Sequence, residues 1–178
     1  MTQLHQAFKV DFDGIANVLS TEIKVAHPSL NVQFDYTKKF EPFIKAIWDT
    51  GATHSVIAQN VIEKLNLKPT TMTKIIGVSG LEVVDCYLVD FRLPNNWIIQ
   101  NVQVTGASKI NGTFDVLIGM DIIQRGDFSI SNANGKTKFS FCMPSHENPT
   151  CLFDKTLKVN ERLAKKSKNQ INRANYNL

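Results

Sequence analysis

The 178-residue chain is 43% apolar and 20% charged, with 9 Gly and 6 Pro, which excludes a collagen-like, coiled-coil or wholly disordered polymer. Its net charge of +4 is unevenly placed: residues 1–153 carry 13 Lys/Arg against 14 Asp/Glu, residues 154–178 carry 7 against 2, so the basic character belongs to the C-terminal end. No apolar run approaches the roughly 18 residues of a membrane span, Met1–Asp13 lacks a basic head followed by an apolar stretch, and Cys86, Cys142 and Cys151 are too few and too odd in number for a disulfide framework. These features predict a cytoplasmic protein of a reducing compartment with no membrane partner.

In chain order, the pattern is mostly period-2. Thr21 to His27 alternates, with Ile23 and Val25 against Glu22 and Lys24, and Asn31 to Tyr36 does the same. Pro42 to Trp48 is an apolar run broken only by Lys45, the pattern of a more central strand. Ile57, Val61, Ile62 and Leu65 recur at helical spacing and predict a helix over Ala58 to Asn66. Lys74 to Val83 reads as a strand, a glycine-bounded tip and a return strand, and Leu81 to Leu93 continues as the longest alternation, its odd positions apolar except Asp85. Trp97 to Thr105 and Phe114 to Ile118 are further strands; Met120 to Arg125 is a short helix ended by Gly126. Asp127 to Ala133 and Lys136 to Phe141 flank Asn134-Gly135, a pair suited to a type I′ turn because both central residues must tolerate positive φ. The sum is about nine strands and two short helices, a mainly β domain, barrel or sandwich. From Ser145 the sequence changes to a linker and then a weak helical stripe (Leu152, Leu157, Val159, Leu163) in Lys/Arg/Asn-rich surroundings, with Asn169 to Leu178 expected to fray. The expected organisation is a domain over 1–144 and a basic, partly helical or disordered tail over 145–178.

The segment that carries chemistry is Ala46-Ile47-Trp48-Asp49-Thr50-Gly51-Ala52-Thr53, followed by His54-Ser55-Val56-Ile57. A carboxylate at the end of a buried strand is partly desolvated, so its proton affinity can be tuned. Thr50 can donate and accept within a loop, Gly51 permits a tight turn, and Ala52 is small enough to leave a cleft open. Asp-Thr-Gly alone is also ordinary turn chemistry. Its context narrows the reading: a glycine-hinged hairpin follows at Ile76-Gly77-Val78-Ser79-Gly80, and a buried strand ends in glycine at Leu117-Ile118-Gly119 before a short helix.

Together, strand, Asp-Thr-Gly-Ala, helix, hairpin tip, strands, apolar-apolar-Gly and helix resemble the retropepsins, the retroviral-type aspartic proteases, over roughly residues 42–131. Gly119-Met120-Asp121 is closer to their cellular and bacterial branch. The resemblance implies a small closed β-barrel of the retropepsin type and peptide-bond hydrolysis without metal or other cofactor. It implies Asp49 as the catalytic aspartate, with Thr50 and Gly51 completing the active-site loop and the Thr50 hydroxyl bracing the partner's loop. Ala52 and Thr53 would line the substrate channel, Ile76 to Gly80 would form the flap, and Leu117, Ile118 and Gly119 would support the loop from below. Asp121 is expected to be structural, at the start of a helix. The chemistry needs two carboxylates sharing a proton, whereas the chain holds one Asp-Thr-Gly; Asp13-Gly14 and Gly126-Asp127 supply no second. A homodimer with Asp49 from each chain on the two-fold axis follows from resemblance plus counting. Extra sequence at both ends departs from a minimal retropepsin, so the Asn134-Gly135 hairpin is a candidate replacement for the family's interleaved terminal strands at the interface.

Other readings carry less. A non-catalytic module of the same fold would bind peptides by strand addition in the cleft. Cys142, His146 and Cys151 offer three metal ligands where a closed zinc site needs four, with His27 or His54 available only through folding, so free thiols and no metal are expected. Lys165-Lys166-Ser167-Lys168 has only Phe153 and Tyr176 as aromatic company, so a solubilising end is expected rather than a nucleic-acid partner.

Overall fold

The computed structural model of the chain describes residues 4–29, 39–77, 80–110, 112–148 and 150–175, so the predicted strand at Asn31 to Tyr36 lies outside the described residues. The chain forms two compact units, Met1–His146 and Glu147–Leu178.

The first unit is mainly β, as expected. Its strands are β1 (Gln6–Asp11), β2 (Ser20–Ala26), β3 (Glu41–Trp48), β4 (Val56–Ala58), β5 (Thr71–Gly77), β6 (Gly80–Arg92), β7 (Ile98–Ala107), β8 (Val116–Ile118), β9 (Asp127–Ser131) and β10 (Lys138–Met143), with short helices α1 (Gln59–Lys64) and α2 (Met120–Ile123). Among the described residues, seven strands form one sheet in the order β2-β3-β8-β4-β7-β6-β5, and a further pairing of β2 with β6 closes it into a ring with β5 beyond it. Along β6 the odd positions divide. Tyr87, Val89 and Phe91, with Leu93 just past the strand, are buried in the core, whereas Leu81 and Val83 stand exposed on the part of β6 paired with β5. On the opposite face of β6, Asp90 is fully buried. Its carboxylate accepts the Asn101 backbone N–H at 2.8 Å, where Asn101 takes a positive φ of 53° beside the register shift between β6 and β7.

A second sheet, β1-β10-β9, packs its apolar face on the end of β3. Phe8, Phe128, Phe139 and Phe141 surround Trp48, with ring centroids 5.1 Å (Phe141) to 6.1 Å (Phe128) away. The Trp48 Nε1–H donates to Thr21 Oγ1 at 3.0 Å, so this large ring is buried without losing its polar bond. Strand β1 is additional to the strands expected above, and Phe8, Val10 and Phe12 alternating with Lys9, Asp11 and Asp13 is its period-2 signal.

The Asn134-Gly135 turn forms with positive φ at both residues (58° and 71°) and a Lys136 N–H to Ala133 C=O bond. The hairpin pairs only from Ser131↔Lys138, so β9 stops two residues earlier and β10 starts two residues later than expected, β10 running on to Met143. Thr137 is the reason: its N–H goes to Gly14, its C=O takes the Phe12 N–H and its hydroxyl takes the Ala16 N–H. The backbone groups that would extend the hairpin serve the N-terminal segment instead.

The second unit is the helix α3 (Leu152–Asn175). It runs through residues 169–175, which were expected to fray; Gln170, Arg173 and Ala174 there are good helix formers. Leu152, Phe153, Leu157, Val159 and Leu163 are exposed on it. Among the described residues, no helix is long and apolar enough to cross a membrane.

Candidate active site

The site is built where β3 ends. β3 runs parallel to β8, with Ala46↔Val116, Ile47↔Leu117 and Trp48↔Ile118 in register, and β8 is flanked on its other side by β4. The last rung is the Asp49 N–H donating to the Ile118 carbonyl at 2.9 Å. Beyond it the chain turns. Asp49 Oδ1 accepts the Gly51 N–H at 2.8 Å, and the Asp49 carbonyl accepts the Ala52 N–H at 3.3 Å. A carboxylate bonding the backbone two residues on is a turn device, used here to fix the side chain itself. Asp49 is half-buried, while Thr50, Gly51 and Thr53 are exposed and Ala52 is half-buried.

The loop then lies against the start of α2. Met120 N–H donates to the Ala52 carbonyl at 2.8 Å and Asp121 N–H to the Thr53 carbonyl at 3.2 Å. A Cβ on Gly119 would fall 2.7 Å from the backbone carbon and oxygen of His54 and 3.0 Å from the Ala52 carbonyl. Only a residue without a side chain allows the two backbones to approach this closely.

A polar latch holds the far end of the loop. Ser55 is fully buried. Its N–H and hydroxyl both donate to the Asp121 carboxylate, at 3.0 and 2.7 Å, and its Oγ accepts the Gly119 N–H at 3.1 Å. The same carboxylate accepts the Ile122 N–H at 3.0 Å. Asp121 was expected to act at a helix start; its larger engagement is with Ser55, 66 residues earlier, which local pattern could not signal. Asp121→Ala leaves the buried Ser55 N–H without a partner and should cost about 1–3 kcal/mol, read as a lowered urea midpoint at unchanged slope. A loss below 0.5 kcal/mol, by the same order-of-magnitude scale, would mean the latch is replaceable by solvent.

The structure thus brings Asp49, Ala52 and Thr53 together with Ile118 and Gly119, while Leu117 sits between Ile47 of β3 and Val56 of β4. The β5–β6 hairpin belongs to the same sheet as this loop's strands, with β5 at the end of the order opposite β2 and β3. Gly77 pairs with Gly80, which takes φ +111°, while Val78 and Ser79 of the predicted tip lie outside the described residues. Ile76 and Leu81 form a cross-strand pair, followed on the same face by Lys74 with Val83 and by Met72 with Asp85. Ile76 is 87% exposed, and Leu81, Val83 and Met72 are also exposed, so this face is an exposed, mostly apolar strip interrupted by Lys74 and Asp85.

Residues 40–122 match the aspartyl protease family model. No curated protein matches the chain. Among solved structures, a retropepsin-like aspartic protease from Rickettsia conorii is similar at 15% identity, with 80% of this chain and 98% of that one covered and a TM-score of 0.50. The EIAV protease complexed with the inhibitor HBY-793 aligns at 18% identity, covering 61% and 86%, with a TM-score of 0.43. The simian foamy virus protease aligns at 17% identity, covering 60% and 92%, with a TM-score of 0.39.

Proposed function

From a chain that is retropepsin-like in fold and matches the aspartyl protease family over the segment holding Asp49, we propose an aspartic endopeptidase that works as a homodimer. The observation that carries this reading is the Asp49 turn: a carboxylate at a strand end, anchored by the Ile118 carbonyl and the Gly51 N–H, in a loop that also presents Thr50 and Ala52.

Two such loops, one per subunit, would set two carboxyl groups about 3 Å apart, where they cannot both ionise and so share one proton. The ionised carboxylate takes a proton from water as its oxygen attacks the scissile carbonyl carbon. The protonated carboxyl donates to the carbonyl oxygen, giving a tetrahedral diol. The pair then gives its proton to the amide nitrogen while a diol hydroxyl returns one to the other carboxylate; the C–N bond breaks, acid and amine are released, and the pair holds its single proton again. Activity therefore requires the singly protonated pair and should show a bell-shaped pH profile that belongs to the dyad rather than to either chain.

In this reading Thr50 braces the partner loop, and Ala52 and Thr53 line the channel. Leu117, Ile118 and Gly119 hold the loop in place, and the hairpin from Ile76 to Gly80 closes over the substrate. The exposed apolar strip on that hairpin favours substrates with apolar side chains next to the cut. β1 and β10 pair within one chain, so the β1 and β9 edges and the Asn134-Gly135 turn are the parts of that sheet open to a second copy. A cytoplasmic setting fits the free thiols.

The test is cleavage of a diverse peptide mixture from mildly acidic to neutral pH, read by mass spectrometry, with wild type titrated by Asp49→Asn chains. Mixed dimers hold one carboxylate, so activity per wild-type chain should fall as variant is added. Constant activity per wild-type chain would overturn the shared site. Absence of cleavage at every pH, with peptides still bound, would favour the strand-adding module.

A further inference from the structure

The register of β1 on β10 pairs Gln6 with Met143 and Ala7 with Cys142, which carries His5, just before β1, to the chain leaving β10. There His5 Nδ1 lies 3.0 Å from the Pro144 carbonyl oxygen. A carbonyl only accepts, so Nδ1 is the donor, and in the neutral ring Nε2 keeps the lone pair. Beyond Pro144 the chain folds back, fixed by the His146 N–H donating to Asp127 Oδ2 at 2.9 Å. This brings His146 Nε2 to 3.5 Å from Cys142 Sγ, and its ring stacks on that of His5 with centroids 4.5 Å apart. One ligand atom from each of His5, Cys142 and His146 lies within 4.8 Å of the other two.

We propose that His5, Cys142 and His146 form a binding site for a zinc-class divalent cation, completed by water, that clasps the start of β1 to the end of β10. Three observations carry it. The donor set is one sulfur and two imidazoles, which suits zinc and its neighbours and not the oxygen-seeking calcium or magnesium. A tetrahedral ion with a metal–sulfur distance of about 2.3 Å and a metal–nitrogen distance of about 2.0–2.1 Å separates its sulfur and nitrogen ligands by roughly 3.6 Å, close to the observed Cys142–His146 spacing. The outer shell is also in place: one imidazole gives its spare N–H to a backbone carbonyl, the usual device for orienting a histidine ligand. The spacing of Cys142, His146 and Cys151 in sequence pointed to another set; the fold supplies His5 from the opposite end of the unit. With three protein ligands, the fourth position is open to water. The site uses none of the residues assigned to peptide hydrolysis, so it stands or falls separately from that reading.

The experiment titrates the full, untagged, reduced and metal-free chain with Co²⁺, whose thiolate complexes absorb in the near ultraviolet. One equivalent should raise a single-thiolate charge-transfer band that Zn²⁺ then bleaches. Cys142→Ser should abolish the band. Because Cys142 is buried, His5→Ala is the companion variant: His5 is exposed, the fold should persist by circular dichroism, and cobalt affinity should fall by at least about tenfold to a hundredfold. Cys151→Ser should leave band and affinity unchanged. Zinc at a hundredfold excess over its Kd should raise the thermal midpoint of wild type by roughly 5–10 °C and that of His5→Ala far less. No band in wild type, a band that survives Cys142→Ser, unchanged affinity in His5→Ala, or a band lost in Cys151→Ser would each overturn the assignment.

Discussion

Asp49→Asn is expected to lower peptide cleavage by at least about 10²–10⁴-fold, the share that general acid–base chemistry alone contributes, with fold and dimer retained. The asparagine oxygen can still accept the Gly51 N–H that Asp49 Oδ1 accepts at 2.8 Å, and the backbone bond from residue 49 to the Ile118 carbonyl does not involve the side chain. The turn therefore survives, and the stability change should stay within about 0.5 kcal/mol, as for other substitutions that keep their partners. What is lost is the ability to ionise. In the proposed dyad, an amide opposite a carboxyl cannot share its proton, and the attacking water has no base. The measurement is kcat/KM on a peptide cut by wild type, beside the thermal midpoint and the sedimentation of the same samples. Retained cleavage would remove Asp49 from the chemistry. Loss of cleavage together with loss of fold would make Asp49 a structural turn residue.

Trp48→Ala should be the most destabilising single change at the site, by about 3–5 kcal/mol, with the thermal midpoint down on the order of 10 °C for a unit of this size. Trp48 is 4% exposed and touches aromatic rings from β1, β9 and β10. Its removal would open a cavity where the three-stranded sheet meets the ring and would strip the Thr21 hydroxyl of its donor. Because Trp48 directly precedes Asp49, the same cavity loosens the strand end that aims the carboxylate. Cleavage at a temperature where the variant is folded should therefore fall through kcat more than through KM. Chemical unfolding gives the first number and steady-state kinetics the second. A loss under about 1 kcal/mol would mean the second sheet is not what seats the strand end.

Much of the site was legible because it is local. An apolar run ending in Asp-Thr-Gly-Ala, a glycine-bounded hairpin and Leu117-Ile118-Gly119 are each contiguous in sequence, and their order points to the retropepsins. The mainly β class, the positions of α1 and α2 and the positive-φ turn at Asn134-Gly135 follow from periodicity and from residues with few backbone options. The alternation of Phe8, Val10 and Phe12 with Lys9, Asp11 and Asp13 makes β1 equally legible.

Only the tertiary structure decided what depends on partners distant in sequence. It decided that Leu81 and Val83, alternating in step with Tyr87 and Val89, lie outside the ring, because among the described residues no strand layer covers that end of β6. It shortened the β9–β10 hairpin by giving Thr137's backbone groups to the N-terminal segment. It joined Ser55 to Asp121 and set His5 beside Cys142 and His146. Periodicity records which face of an element is apolar, since that depends on each residue and its near neighbours. Which polar group meets which is set by strand register and sheet closure, and the free energy of burying such a group is favourable only once its partner from elsewhere in the chain has arrived.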